Sequence, residues 1–460
     1  MKTVTPSPAG KRRSESRLPG RTQARFAFIV LFIVNILNYA DRYVLPAILR
    51  KVQASPAHGG LGITDFQAGL IGSSFLIVYA LATLPLGIWA DRGIRKNIIA
   101  LCVGLWSVAT VLAGFTRNFL QLFSVRAILG IGEAGYAPAT LSLLGDFYTK
   151  EQRGRVLSYW SVGTLIGSAI GFALGGLVAD AFGWRWAFFI VGIPGLISAF
   201  LAWRISEPRR GVFDTQDENF DTQDENEAEI EVTHGQVNSW QDFKQATGKI
   251  LRIPTYWVLL GALTFSFFTI GGTSFWLPSY FADTFHLSVA KAGIYSGIVL
   301  VVGGIIGTII GGWLADYVQR RRPEGRLLVA TIGFLAGAPL VLSALFLHNL
   351  ALFIGMFLIA AIFLSFCTGP LQAVIQDVIR PDLRATAVGF SLLFAHILGD
   401  ASSPTLIGYI ADLNHHDLSF ALLVTAPTAL LLAGLVCLLG LKTVARDMRK
   451  MQEQLHASHE

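Results

Sequence analysis

A chain segment that crosses a bilayer needs about 20 consecutive apolar residues, and this sequence supplies such segments repeatedly, separated by short charged loops. They run approximately over 26–49, 66–89, 97–115, 119–144, 155–181 and 186–206, and, after a polar break, over 255–281, 291–315, 326–347, 350–377, 384–411 and 418–441. Inside hydrocarbon every backbone N–H and C=O has to be satisfied within the structure, so spans of this length are helices. The sequence therefore predicts an all-α polytopic membrane protein with 12 transmembrane helices in two six-helix bundles. Charged residues make up only 14% of the chain, with 53% hydrophobic and a mean hydropathy of +0.55; a soluble domain carries about 25% charged residues. The net charge of +6 sits in short loops, with no basic, aromatic-interleaved module, so nucleic acid is not an expected partner. The basic N-terminal stretch (Lys11, Arg12, Arg13, Arg17, Arg21, Arg25) precedes an apolar segment too long for a signal-peptide core, which makes that segment the first span.

These limits divide the chain into an N-terminal tail (1–25), a first bundle (26–206), a linker (207–254), a second bundle (255–441) and a C-terminal tail (442–460). The acidic linker contains a tandem heptad, Phe213–Asn219 and Phe220–Asn226 (FDTQDEN twice), and reads as a solvated connection. Trp240, Phe243, Ile250 and Leu251 mark a candidate amphipathic helix near its end, and the tail over 442–458 another. Outside the linker, 23 Lys and Arg fall on the side of the two termini and five on the other side. The positive-inside rule places both termini in the cytoplasm.

The two halves echo each other. Gly-x-x-Ala-Asp occurs at Gly87–Asp91, Gly176–Asp180, Gly312–Asp316 and Gly408–Asp412, each at a helix end; Asp146 with Arg153 recurs 231 residues later as Asp377 with Arg384. Internal repeats of this kind build transporters whose substrate site lies between the halves near the midplane. The stretch Gly87-Ile-Trp-Ala-Asp91-Arg92-Gly93-Ile94-Arg95-Lys96 resembles the loop signature of the major facilitator superfamily, departing at Ile94, where that family usually has Gly or Asn. Gly87 is expected to let helices approach closely, and Asp91 to cap a neighbouring helix or pair with a loop arginine. With Arg92, Lys96, Asp316, Arg320, Asp146, Arg153, Asp377 and Arg384 it forms a candidate conformational latch. In the fifth span Gly163, Gly167, Gly171 and Gly175 make a smooth ridge for helix contact.

The intramembrane charges bear most on mechanism. An ionised side chain at the bilayer centre costs at least about 2.5–3.5 kcal/mol, yet Asp41 and Arg42 lie within the first span, and Arg126 and Glu133 share a face of the fourth. Two acids and two bases at nearby depths can neutralise one another, most simply Asp41 with Arg126. That leaves Glu133 without a close cation and makes it the expected proton carrier, in a proton-coupling set of Asp41, Glu133, Arg126 and Arg42. In the eleventh span His396 and Asp400 are four apart, followed by Ser402, Ser403 and Pro404, a polar and kinked segment that points at a cavity or gate.

Asn38-Tyr39-Ala40-Asp41-Arg42-Tyr43, Gly130-Ile-Gly132-Glu133-Ala134 and His396–Pro404 together look like the spinster branch of the major facilitator superfamily, over about residues 26 to 412 without the linker, in a bacterial member. The resemblance implies the major facilitator fold and alternating access. It implies export or flipping of a lysophospholipid or sphingosine-1-phosphate-like lipid across a bacterial inner membrane; the buried carboxylates add proton coupling as an expectation, and a monomer is the default for this architecture. Asp400, His396, Ser402, Tyr39, Tyr136, Phe268 and Trp276 are the candidate substrate contacts or gates; Arg42 or Arg126 would meet a phosphate, and aromatic residues such as Phe265, Phe267, Phe268 and Trp276 would line the tail side. The Asn-Tyr-x-Asp-Arg stretch is shared with organic-anion symporters, so a carrier of small organic anions or sugar acids is the alternative. Cys102, Cys367 and Cys437 show no metal spacing. No cofactor is expected, and no phosphate-binding loop or nucleophile triad argues for a pump or an enzyme.

Overall fold

The computed structural model describes residues 20–213 and 247–457. Lys11, Arg12, Arg13, Arg17, most of the tandem heptad, Trp240 and Phe243 lie outside them. Among the described residues, 12 helices are long and apolar enough to cross a membrane. They are α1 (Arg21–Gln53), α2 (Asp65–Arg92), α3 (Arg95–Ala113), α4 (Phe119–Gly145), α5 (Lys150–Phe182), α6 (Trp184–Trp203), α7 (Pro254–Thr284), α8 (Val289–Gln319), α9 (Gly325–Leu345), α10 (Leu350–Val378), α11 (Thr386–Leu413) and α12 (Leu418–Gly440). A shorter helix, α13 (Val444–Ala457), follows. The helices overshoot the apolar segments because the intrahelical ladder keeps satisfying the backbone through the interfacial layer until a cap or glycine stops it. Side-chain caps fix several starts: Thr64, Asn118 and Asp417 accept from the N–H of Gln67, Gln121 and Phe420,.

The glycine ridge of α5 packs on α1. A methyl group added at Gly167 would lie 2.8 Å from Tyr39 Cβ, and at Gly171 3.0 Å from Ala40 Cα. Small residues are what let the two backbones close to this distance, and the contact fixes the face of α1 that carries Asn38, Asp41 and Arg42. The eleventh helix is interrupted at its centre. Residues Ala395–Asp400 form a π-helical turn, with Ala401 N–H reaching back five residues to His396 O at 2.9 Å. Pro404 has no N–H to offer the Asp400 carbonyl, and the Ser403 hydroxyl donates to it instead at 3.1 Å.

Two stretches differ from the sequence expectation. The linker does not begin free at 207: Glu207 bonds Arg95, and Gly211 N–H donates to Asp146 at 2.9 Å. The tail helix α13 is docked: Asp447 is buried and accepts from Thr255 N–H at 3.1 Å at the start of α7.

Residues Arg21 and α13 lie at one end of the bundle, the terminal face; the other end is the far face. Named contacts between the halves gather at the far face, where the second and fourth Gly-x-x-Ala-Asp copies act alike. Gly176 of α5 lies against the start of α8, where an added methyl would come 2.8 Å from Ala290 Cα, and Asp180 then accepts from Ala290 N–H at 2.9 Å. Gly408 of α11 lies against the start of α2, with Trp276 3.0 Å from an added methyl, and Asp412 accepts from Asp65 and Phe66 N–H at 3.1 and 3.0 Å. In both, glycine allows the approach and a carboxylate four residues on caps the facing N-terminus, where the helix dipole favours it. Toward the terminal face these contacts reach the edge-on pair Tyr79–His396 (6.1 Å); beyond it Gly87, Gly304 and Gly312 face open space. The far face is closed and the terminal face open.

Overpacking at such a contact costs ~1–3 kcal/mol. Gly408→Val is therefore expected to raise the labelling rate of a cysteine placed at Ser274, attacked from the far side by a membrane-impermeant thiol reagent, by at least about fivefold. The native cysteines are buried and give a low background. An unchanged rate would show that the far face is closed by something else.

Candidate functional site

The central charges form two crossed pairs between α1 and α4. Arg126 Nη1 reaches Asp41 Oδ1 at 3.4 Å, and the Thr110 hydroxyl of α3 also donates to Asp41. The Arg42 guanidinium reaches Glu133, Nη2 to Oε2 at 2.8 Å. The expectation that Glu133 lacks a close cation is thus corrected: the length of the arginine side chain spans the two turns that separate the acids. The side chains of Asp41, Arg126 and Glu133 are at most 2% exposed, and that of Arg42 is 19% exposed.

Aromatic rings complete the cation environment. Arg42 lies over Tyr39, Phe75 and Tyr79 at 5.1, 5.2 and 4.9 Å, and Arg126 over Phe75 at 5.3 Å, so Phe75 sits between the two guanidiniums. Such contacts contribute roughly 0.5–2 kcal/mol each when desolvated. Phe75 and Tyr79 are four apart on α2 and therefore share its inner face.

The open volume beside Arg42 is a cavity of about 170 Å³ between the halves, lined by Arg42, Arg126 and Asp400 as its charged part and by Phe75, Phe267, Ile270 and Phe275 as its apolar part. Arg42 Nε, Arg126 Nε and Asp400 Oδ1 are buried without a hydrogen-bond partner. Unpaired buried polar atoms are costly, and three of them around one cavity make it the place for a polar ligand group. His396 Nδ1 lies 2.9 Å from Asp400 Oδ2, with its ring packed on Phe267 at 5.2 Å; both belong to the π-helical turn, and of the two Asp400 lines the cavity.

The remaining candidate contacts lie elsewhere. Tyr136 is 1% exposed in the core of the first half, its hydroxyl donating to Leu31 O at 2.9 Å. Trp276 is fully buried in the far-face contact, its Nε1 donating to Pro404 O at 3.0 Å. The Ser402 hydroxyl turns onto Leu398 O at 2.7 Å, and the residue lines a groove on the outer side of α2 and α11. Phe268 is half-buried but does not line the cavity; its neighbour Phe267 does.

On the terminal face the acid–base pairing differs from the expected one. Asp146 pairs with Arg95, which also holds Glu207 at 2.8 Å and is fully buried. Asp377 pairs with Arg326 at 2.7 Å, and Arg326 reaches Asp316 at 2.8 Å. Arg153 and Arg384, expected to hold those acids, instead donate to the backbone carbonyls of Tyr148 (3.2 Å) and Ile379 (3.3 Å). Arg95 and Arg326 are 231 residues apart, as are Asp146 and Asp377, Tyr148 and Ile379, and Arg153 and Arg384: the repeat is kept in three dimensions with different partners. Asp91, Arg92 and Arg320 are exposed, and the Lys96 backbone N–H donates to Glu207 at 3.0 Å. Gly87 makes no close approach here.

The family described as Major Facilitator Superfamily matches residues 31–404. Protein spinster of Drosophila melanogaster is 29% identical over 85% of this chain, which spans 62% of the fly protein, a little under two thirds. The sphingosine-1-phosphate transporter SPNS2 of Danio rerio is 27% identical over 83% of this chain and 75% of its own length. Among solved structures, a bacterial homolog of the human lysosomal transporter spinster, in an inward-facing and unoccupied conformation, superposes with a TM-score of 0.75 at 23% identity, over 94% of this chain and 98% of that one.

Removing one member of a buried ion pair leaves the other charge uncompensated, at a cost of ~3–5 kcal/mol. Arg42→Gln alone and Glu133→Gln alone are each expected to lower thermal stability in detergent, and the double variant to be less destabilised than the sum of the two. Additive losses in the melting curves would mean that the pair is not coupled.

Proposed function

The chain belongs to the Major Facilitator Superfamily, in its spinster branch, and on that premise we propose that it is a proton-coupled carrier of an amphiphilic lipid, such as a lysophospholipid or a sphingosine-1-phosphate-like molecule. The observation that carries this reading is the two-sided cavity: two guanidiniums with unused donors on one side and an aromatic–aliphatic wall on the other. An anionic head group takes the guanidiniums, as charge-assisted bonds to phosphate require, and the tail takes the wall. A further apolar groove along α2 and α11, lined by Phe66, Leu70, Leu406 and Tyr409, gives a tail a route along the lipid-facing side. A sugar acid would leave the apolar wall unused.

Charge balance supplies the coupling. With the cavity empty, Asp41 offsets Arg126 and Glu133 offsets Arg42. A monoanionic head group that takes Arg42 displaces Glu133, which would then be left ionised in the bilayer. A proton on Glu133 removes that cost, so lipid and proton enter together and the site stays neutral. Asp41, held by both Thr110 and Arg126, is the stiffer member, and the pair Glu133–Arg42 beside the cavity is the one that exchanges.

In this reading the carrier sits in a bacterial inner membrane with both termini in the cytoplasm, an orientation that the excess of Lys and Arg on the terminal face supports. The arrangement described above is then inward-facing. In the opposite state the first and third Gly-x-x-Ala-Asp copies serve the terminal face as the other two serve the far face: Gly87 and Gly312 permit the approach, and Asp91 and Asp316 cap the facing helices.

In proteoliposomes, uptake of a labelled lysophospholipid is expected to rise several-fold with an imposed pH gradient. Glu133→Gln and Asp41→Asn are expected to remove the gradient dependence. Competition by hexuronates but not by unlabelled lysolipid would favour the sugar-acid reading, and unchanged proton-driven uptake in both variants would end the coupling scheme.

A further inference from the structure

A second set of charges joins the two halves at the far face, away from the central cavity. Arg50 of α1 bonds Asp65, at the start of α2, at 2.7 Å and pairs with Asp283 near the end of α7. Gln53 donates to Asp65 at 2.8 Å. His416, in the turn between α11 and α12, places Nδ1 2.8 Å from Asp412 Oδ1 and 3.3 Å from Asp65 Oδ2. Its side chain is 64% exposed, whereas that of Asp65 is 3% exposed. His286, in the turn between α7 and α8, acts electrostatically on Asp283.

Asp65 and Asp283 share Arg50, whereas Asp412 is held by the backbone N–H groups of Asp65 and Phe66. A neutral imidazole donates Nδ1–H to one carboxylate and adds no charge. An imidazolium adds a positive charge against two carboxylates, and the two come from opposite halves. When the far face opens, Asp65 leaves with α2, while Asp412, four residues before His416 on the same half, stays. A charged His416 bridges carboxylates of the two halves only while the far face is closed, so by linkage protons favour closure,. The three donor atoms lie within 4.8 Å of one another, a spacing that a divalent cation also fits. Arg50, Gln53 and two backbone N–H groups already occupy the carboxylate oxygens, which favours the proton.

We propose that His416, Asp65 and Asp412 form a proton-binding site on the far face, distinct from the central carboxylates, that holds the two halves together when the compartment on that side is acidic. Histidine is suited to this because its charge changes within the range of about pH 5–8. The site gives the carrier a response to pH on the far side alone, whereas Arg42 and Glu133 beside the cavity meet the terminal side in this state.

The test uses the full chain in liposomes with spin labels on cysteines introduced at Ala57 and Phe346, exposed far-face positions of the two halves. Lowering the far-side pH from about 7.5 to about 5.5 is expected to raise the ratio of short to long interlabel distances about fivefold. His416→Gln should abolish that response. His416→Lys, which keeps a charge at every pH used, should hold the short distance throughout. A response retained in His416→Gln, or produced only by pH on the terminal side, would overturn the proposal. Loss of the response on adding EDTA would also overturn it, in favour of a bound divalent cation.

Discussion

Four ionisable groups in the middle of a bilayer must be mutually neutral, and the centre of this protein is organised by that requirement. Asp41 and Arg126, Glu133 and Arg42 form crossed pairs between α1 and α4, each worth several kcal/mol to keep intact because the alternative is a bare charge in a medium of low dielectric. The glycine ridge of α5 presses the back of α1 so that Asp41 and Arg42 face α4. Phe75 and Tyr79 of α2 cover the guanidiniums. The proposed exchange of a head group for Glu133 follows from the same neutrality: a group that arrives with one negative charge can be accommodated only if one is removed.

A second constraint acts at the ends of the helices. Two six-helix bundles can rock only if each face has a closed form that is stable and separable. Pairing a glycine with an aspartate one turn later serves both needs, since each such contact combines a close backbone approach with one or two N–H···O bonds. At the far face the two copies are engaged; at the terminal face their counterparts stand open. The buried pair Arg95–Asp146 and the half-buried pair Arg326–Asp377 lie within their own halves and anchor each loop to its bundle.

The fold and the charged residues were legible in the sequence because hydrocarbon permits few exceptions: apolar length reports a helix, and a charge within it reports a cavity or a partner. Which partner was less legible. Pairing by depth along the axis joined Asp41 to Arg126 but left Glu133 alone, since it ignored the reach of arginine. Arg95 and Arg326 were missed although they obey the same 231-residue offset as Asp146 and Asp377; extending the repeat outward would have found them. Tyr136 and Trp276 were assigned to the cavity because a helix that is apolar all round does not reveal its inner face, and only the neighbouring helices decide it. The π-helical turn at Ala395–Asp400, which carries His396 and Asp400, left only the indirect traces of Gly399 and Pro404.

In the proposed scheme, ligand binding and protonation of Glu133 are one event. The most direct measurement is the number of protons taken up from a weakly buffered solution when a lysophospholipid binds the purified protein. The account predicts about one proton per lipid bound, lost in Glu133→Gln while lipid still binds. Saturable binding without proton uptake in the unmodified protein would contradict it.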